Sequence, residues 1–362
     1  MTRGTELVIR PAALLHNARR ARALAESSEV YAMVKANAYG HGLKRVAECL
    51  RDDVHGFGVA VIEEAVALRE AGIDAPVMLL EGCFDAGEWR LAQQLNVQVA
   101  IHTVAQVDAL IEANLQQSLV VWLKLDTGMH RIGLPLSELD AVLARLNDIE
   151  QVSVAGLMTH FACADMPDDA MSSSQLERLQ KLARQYDLPF SAANSAALFR
   201  YQESRGSRVR PGIMLYGSSP FADKSAASLD LRVTQQLRAP IMAINQVPAG
   251  DSVGYGAAWC AQRDSRIAVV AIGYGDGYPR HAANGAPVSI RGQRAVTVGR
   301  VSMDMISVDV TDLPEVKVGD VVELWGDTVS IDEVAAFCGT ISYELFCQVT
   351  ARPHRMIDDG EA

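Results

Sequence analysis

Short runs of consecutive apolar residues alternate with longer stretches whose apolar positions recur every three or four residues. The runs fall at 30–34, 56–61, 77–80, 97–101, 119–125, 152–158, 190–193 and 209–216. Most are apolar on both faces, the mark of parallel strands covered by helices. Helical spacing follows them over 43–50, up to 69, 88–95, 104–113, 138–146, a long stretch ending near 186, and a short one from Ser195. Ahead of the series stand a short strand at 6–9 and a helix with Pro11 in its first turn, marked by Leu14, Leu15, Ala18 and Leu24. Arg10 is a poor N-cap for it. Eight strand–helix units over this length predict a (β/α)8 barrel, with its functional residues at the C-terminal strand ends. Polar residues do fall there: Lys35, Lys124 with Asp126, His160, Asn194 with Ser195, and Arg210 with Gly212.

Beyond residue 230 the texture changes. Strand-like runs at 233–247, 266–272, 287–290, 295–298, 305–310 and 321–324 are separated by Gly, Pro and Asn-Gly turns, and helical segments at 331–337 and 343–349 close the chain. This predicts a mostly antiparallel β-domain. A Ser-, Pro- and Asp-rich link at 218–228 marks the boundary. The expected domains are a (β/α)8 barrel over 1–230 and a C-terminal β-domain over 231–362, with residues near 5–10 able to pair with the latter.

Composition narrows the partners. The 362 residues carry a net charge of −11, which argues against nucleic acid and anionic membrane surfaces. No apolar run approaches the roughly 20 residues of a membrane span. The first residues lead into a strand-like segment without a long secretory stretch. The 6 cysteines are scattered, with no Cys-x-x-Cys, so reduced thiols and a cytoplasmic setting are expected. The 8 histidines form no His-x-x-x-His pair, and no metal site is expected.

Chemistry concentrates in a few stretches. Lys35 ends an apolar strand and is followed at once by Asn37, Gly40 and Gly42, which turn the chain. A lysine there can snorkel to water; in a dry site it can also lose its proton and attack a carbonyl. Ser195 reads alone as a helix N-cap. The loops after strands seven and eight are the usual phosphate seat of such barrels, so Ser195, Gly212 and Ile213 are phosphate candidates, with Tyr39 a possible further donor. Lys124 and Asp126 share a strand face and read as a buried ion pair or as a catalytic site. Arg131 suits an anion. His160 reads as structural or as a support for Arg210. Tyr255, between two glycines, is a hairpin aromatic or an exposed acid–base group.

Taken together these stretches resemble the alanine racemases. The resemblance spans nearly the whole chain. It rests on Lys35-Ala-Asn-Ala-Tyr-Gly-His-Gly42, Lys124-Leu-Asp-Thr-Gly-Met-His-Arg-Ile-Gly133, Asn194-Ser-Ala-Ala197, Arg210-Pro-Gly-Ile213 and Leu215-Tyr-Gly217 in the barrel half. In the second half it rests on Val253-Gly-Tyr-Gly256, Gly273-Tyr-Gly-Asp-Gly-Tyr278, Ser302-Met-Asp304 and Ser342-Tyr-Glu344. It implies pyridoxal 5'-phosphate bound covalently by Lys35. The phosphate would be held by Tyr39, Ser195, Gly212, Ile213 and Tyr343, and Asn194 would also belong to the cofactor site. Arg210 would face the pyridine nitrogen, with His160 supporting it. Arg131 and the backbone of Met303 would hold the substrate carboxylate, and Lys124 would be carbamylated and pair with Arg131. Tyr255 would be the second base, reaching the site from a partner subunit of a homodimer. Asp165, Tyr274, Arg280 and Ile341 would line the entrance. Ser302 departs from relatives that carry Cys there.

The implied chemistry is coherent. Racemisation needs a base on each face of Cα, here Lys35 and Tyr255, and a cofactor that absorbs the charge left behind. Arg210 is always protonated and gives no proton to the pyridine nitrogen, which weakens the electron sink and suppresses transamination. The expected activity is interconversion of L- and D-alanine, serving either D-alanine biosynthesis for the cell wall or alanine breakdown. Other readings are a racemase of broader range, such as one for serine, a decarboxylase or aldolase on the same kind of barrel, and a non-catalytic cofactor-binding protein.

Overall fold

The computed structural model of the chain describes residues 3–167 and 169–358. The outermost ends of the two expected domains, 1–2 and 359–362, lie outside the described residues. The chain divides into two compact units, Leu14–Arg232 and a second made of residues up to Ala13 together with those from Val233 onward.

The first unit is a parallel sheet of eight strands, each followed by helix. In chain order the strands are Glu29–Met33, Gly56–Val59, Val77–Leu79, Gln98–Ile101, Leu119–Lys124, Val152–Met158, Phe190–Ser191 and Arg208–Val209. The first seven each pair with their sequence neighbours, and the eighth pairs with the first through Glu29–Arg208 and Val30–Val209. Between the last two strands the Ser207 amide donates to the Phe190 carbonyl and the Arg210 amide to that of Ala193, both at 2.9 Å, so the barrel is nearly closed. Tyr31, Phe57, Val77, Met78, Val99, Val121, Trp122 and Leu123 are buried. Covered on both faces, such strands read as continuous apolar runs instead of alternating ones. Side chains at the helix starts do the capping expected of them: Asp85, Thr103, Asp169 and Asn194 each accept a backbone N–H of the first turn.

Two strand ends differ from the sequence expectation. The eighth strand was expected to run to Tyr216, but it pairs only over Arg208–Val209. Pro211 has no N–H to give a ladder. Gly212, at φ −121° and ψ −90°, then turns the chain into a short 3-10 helix, Ile213–Tyr216. Arg210 and Gly212 therefore lie just past the strand. The first strand likewise stops at Met33, and Lys35 opens a separate turn.

The second unit is a largely antiparallel sheet built around one 13-residue strand, Gln235–Val247. That strand pairs antiparallel with Glu6–Ile9, Val321–Trp325 and Ser265–Val270. Glu6–Ile9 also pairs with His354–Ile357, the one parallel ladder described in this sheet. Pro287–Ile290, Gln293–Val298 and Ile306–Asp309 complete it, and the helices Ile331–Phe337 and Ser342–Gln348 follow. Among the described residues no helix is long and apolar enough to cross a membrane.

Candidate active site

Lys35 sits half-buried at the head of a turn that runs against ordinary chirality. Ala36, Asn37, Ala38 and Tyr39 all have φ between 50° and 54°, and Gly40 follows at 77°. Left-handed residues with a Cβ cost about 1–2 kcal/mol each, so the turn needs external holders. Asn37 Oδ1 accepts the Leu43 amide at 2.8 Å and ties the turn to the next helix. Glu64 accepts the Ala36 amide at 2.6 Å. Tyr39 stacks on Tyr216 at 4.5 Å, and the Tyr216 hydroxyl donates to the Met33 carbonyl at 2.7 Å. Strain concentrated in this way marks a functional position.

Across from the turn lies a small polar cradle. The N-cap of the helix Ser195–Arg200 is Asn194, not Ser195. Ser195 instead accepts the amides of Gly212 at 2.9 Å and Met214 at 3.4 Å. Its lone pairs are then engaged and its hydroxyl proton remains to be donated. A Cβ on Gly212 would come within 2.5 Å of the Tyr39 hydroxyl oxygen, so glycine keeps this space open. A serine hydroxyl, a tyrosine hydroxyl and a glycine backbone converging on one gap fit a phosphate group.

Beside the cradle positive charge accumulates. Arg210 is buried and donates to Ser191 Oγ, to the Thr159 carbonyl at 2.6 Å and to the Ala192 carbonyl at 3.3 Å, all neutral acceptors. Burial pushes its pKa down to about 10, still protonated at neutral pH. Lys124 is 7% exposed. Burial first, then Arg210, Arg131 and Lys35, push its pKa down to about 7, with Glu81 partly opposing. Burial and the same neighbours, with Lys124, hold His160 well below the usual imidazole range, so it stays neutral. The expected buried Lys124–Asp126 pair is not what forms. Asp126 lies beyond the strand end and takes the amides of Gly128 and His130 and the His130 ring, each within 3.0 Å. Burial raises its pKa, but these bonds outweigh that and lower it. Lys35, Arg131 and Arg210 drawn together around Lys124, with Glu81 the one acid among its neighbours named here, suit anionic guests.

The remaining expected residues are exposed. Arg131 and Asp165 lie on loops of the barrel unit. In the second unit Tyr255 stands 72% exposed at the tip of a hairpin, Ser252–Val253 against Trp259–Cys260. Met303 is exposed on a turn where the Ser302 and Met303 carbonyls take the Tyr274 and Gly275 amides at 3.1 and 2.9 Å. The buried Asp276 braces that loop, taking Arg3 at 2.9 Å and the Gly273 amide at 2.9 Å. Tyr274, Arg280, Ile341 and Tyr343 are also exposed. Sequence reasoning missed Glu64, Ser191 and Thr159, and gave Asp276 no role beyond its place in the motif at 273–278. Of the first three only Glu64, an acid in the first turn of a helix, carried any local signal, and that signal spoke of capping.

Comparison with known proteins gives a consistent picture. A family model described as "Alanine racemase, N-terminal domain" matches residues 9–220, and one described as "Alanine racemase, C-terminal domain" matches 234–357. The chain is 54% identical over 355 residues to an alanine racemase of Alcanivorax borkumensis, covering 98% of this chain and 99% of that one. It is 48% identical over 346 residues to the biosynthetic alanine racemase of Pseudomonas aeruginosa, covering 95% and 96%. A crystal structure of the Pseudomonas aeruginosa biosynthetic enzyme superposes with a TM-score of 0.95 at 46% identity, over 99% of this chain and 100% of that one.

Proposed function

Because the chain belongs to the alanine racemase family, we propose that it interconverts L- and D-alanine with two bases, Lys35 on one face of Cα and Tyr255 on the other. The observation that carries this reading is the cluster of Lys35, Lys124, Arg131 and Arg210 beside the Ser195–Gly212–Tyr39 cradle. Such a place suits a phosphate and a carboxylate together. Pyridoxal 5'-phosphate, when bound, supplies an acceptor for the electron pair left at Cα as the proton leaves.

The residues then divide the work. Lys35 would hold the cofactor covalently, and its Nζ moves the proton on one face of Cα. Tyr39, Ser195, Gly212, Ile213 and Tyr343 would hold the phosphate, and Asn194 caps the helix that carries Ser195. Arg210, fixed by Ser191, Thr159 and Ala192, would face the ring nitrogen and keep its own proton. His160, neutral beside Arg210, adds no charge there. Arg131 and the Met303 backbone orient the substrate carboxylate. Lys124, with a pKa near 7, carries free amine at neutral pH. That amine attacks CO2, releases a proton and becomes a carbamate anion that Arg131 pairs. Tyr255 reaches the barrel of a second copy, so the working form is a homodimer, and Asp165, Tyr274, Arg280 and Ile341 line the way in. The setting is cytoplasmic and the product is D-alanine.

Tyr255 gives the decisive test. Tyr255→Phe keeps the ring and removes the acid–base group, so racemisation should fall by about 10²–10⁴-fold. α-Proton exchange of L-alanine should collapse while that of D-alanine persists. Mixing Lys35→Ala with Tyr255→Phe subunits should restore part of the activity, because one site in each heterodimer is intact. Undiminished L-alanine exchange in Tyr255→Phe would overturn the two-base reading. Heterodimers without activity would overturn only the sharing of sites.

A further inference from the structure

Glu64 holds two backbone amides from two different barrel strands. Its Oε2 accepts the Ala60 amide at 2.9 Å, and its Oε1 accepts the Ala36 amide at 2.6 Å. Ala60 lies just past the strand Gly56–Val59, and Ala36 follows Lys35 directly. Glu64 belongs to the first turn of the helix Ile62–Glu70, whose N-cap Val61 offers no side-chain cap. A carboxylate in that turn reaching back to Ala60 is ordinary helix-end chemistry. The second oxygen is not explained that way, because it crosses to the neighbouring strand end. There it meets the first residue of the left-handed run, where the Ala36 and Asn37 side chains are exposed and core packing gives no grip.

We propose that Glu64 is a positioning residue for Lys35: it clamps Ala36 to the adjacent strand end and so fixes where the Lys35 amine points. The left-handed turn is shaped internally by Ala38 N–H to Val34 O at 2.8 Å and Gly40 N–H to Ala36 O at 3.1 Å. Those bonds hold the turn together but do not anchor Ala36 to the next strand, and Glu64 does. Displacing a reacting group by about 1 Å can cost on the order of 10²-fold in rate.

The proposal rests on the two-base reading and is tested on the cofactor-loaded enzyme. Glu64→Ala removes both acceptors; Glu64→Gln keeps the size and one acceptor, and serves if the alanine variant does not fold. The α-deuterium exchange of D-alanine, the face assigned to Lys35, should slow about tenfold to hundredfold. Exchange of L-alanine, the face of Tyr255, should stay close to wild type. Hydrogen exchange of the cofactor-free protein should accelerate across the turn after Lys35, and not only at 60–63. Equal slowing on both faces, or lost protection confined to 60–63, overturns the proposal in favour of helix capping alone. Tyr255→Phe run alongside separates the two levels: if it is face-selective and Glu64→Ala is not, Glu64 has no positioning role. If Tyr255→Phe shows no selectivity, the two-base reading fails first and the proposal falls with it.

Discussion

Arg208 and Arg210 stand two residues apart at the last barrel strand and meet opposite surroundings. Arg208 lies at the N-terminal strand ends, where its Nε donates to Glu29 at 2.7 Å. Its guanidinium sits 4.6 Å over the Tyr31 ring and 4.7 Å over that of Trp122, and Gln98 takes a further bond. Arg210, at the opposite end, has only neutral oxygens and shares its space with other cations. The lesson concerns charge balance. A buried charge is costly unless paired, so a cation that the fold itself neutralises belongs to the scaffold. One left without a counter-charge marks a place where a guest completes the balance.

Three measurements test this contrast. The largest effect is expected from Lys124→Met. The unfolded chain keeps the lysine proton up to about pH 10.5, while the folded protein gives it up near pH 7. Between these values the unfolded state binds more protons, so folding stability rises with pH by at most about 1.4 kcal/mol per unit. Below pH 7 both states hold the proton and the penalty is constant; above 10.5 it is gone. In CO2-free buffer, denaturant unfolding of the cofactor-free wild type should therefore gain on Lys124→Met from pH 7 to 10. A constant difference across that range would mean the ammonium is not suppressed.

Arg208→Met addresses the other end of the barrel. It removes the ion pair and the stacking, and should lower stability by about 2 kcal/mol while the turnover of folded enzyme is unchanged. A fall in turnover without a fall in melting temperature would erase the division between scaffold and site. The smallest effect is expected at the cradle. In Gly212→Ala the new methyl meets the Tyr39 hydroxyl at 2.5 Å and the ring at 3.2 Å, and Tyr39 must give way. Affinity of the cofactor-free protein for pyridoxal phosphate, followed by absorbance, should drop about tenfold, or ~1.4 kcal/mol. Unchanged affinity would remove Tyr39 and Gly212 from the phosphate site.

The chain by itself determined much of this molecule. Eight apolar runs interleaved with helical spacing were enough for the barrel, because strands buried on both faces cannot hide their composition. The order of motifs from Lys35 to Tyr343 was enough for the family, because special turns demand special residues in fixed sequence. Tertiary structure alone decided what depends on neighbours distant in sequence. It set Lys124 beside Arg210 and Lys35, far from it in sequence. It placed Glu6–Ile9 between Gln235–Val247 and His354–Ile357. It also turned Glu64 from a helix-end acid into a link between two strands. Hydrophobic period is local and survives in the sequence. Hydrogen-bond partners and electrostatic neighbours depend on distances that exist only once the barrel has closed.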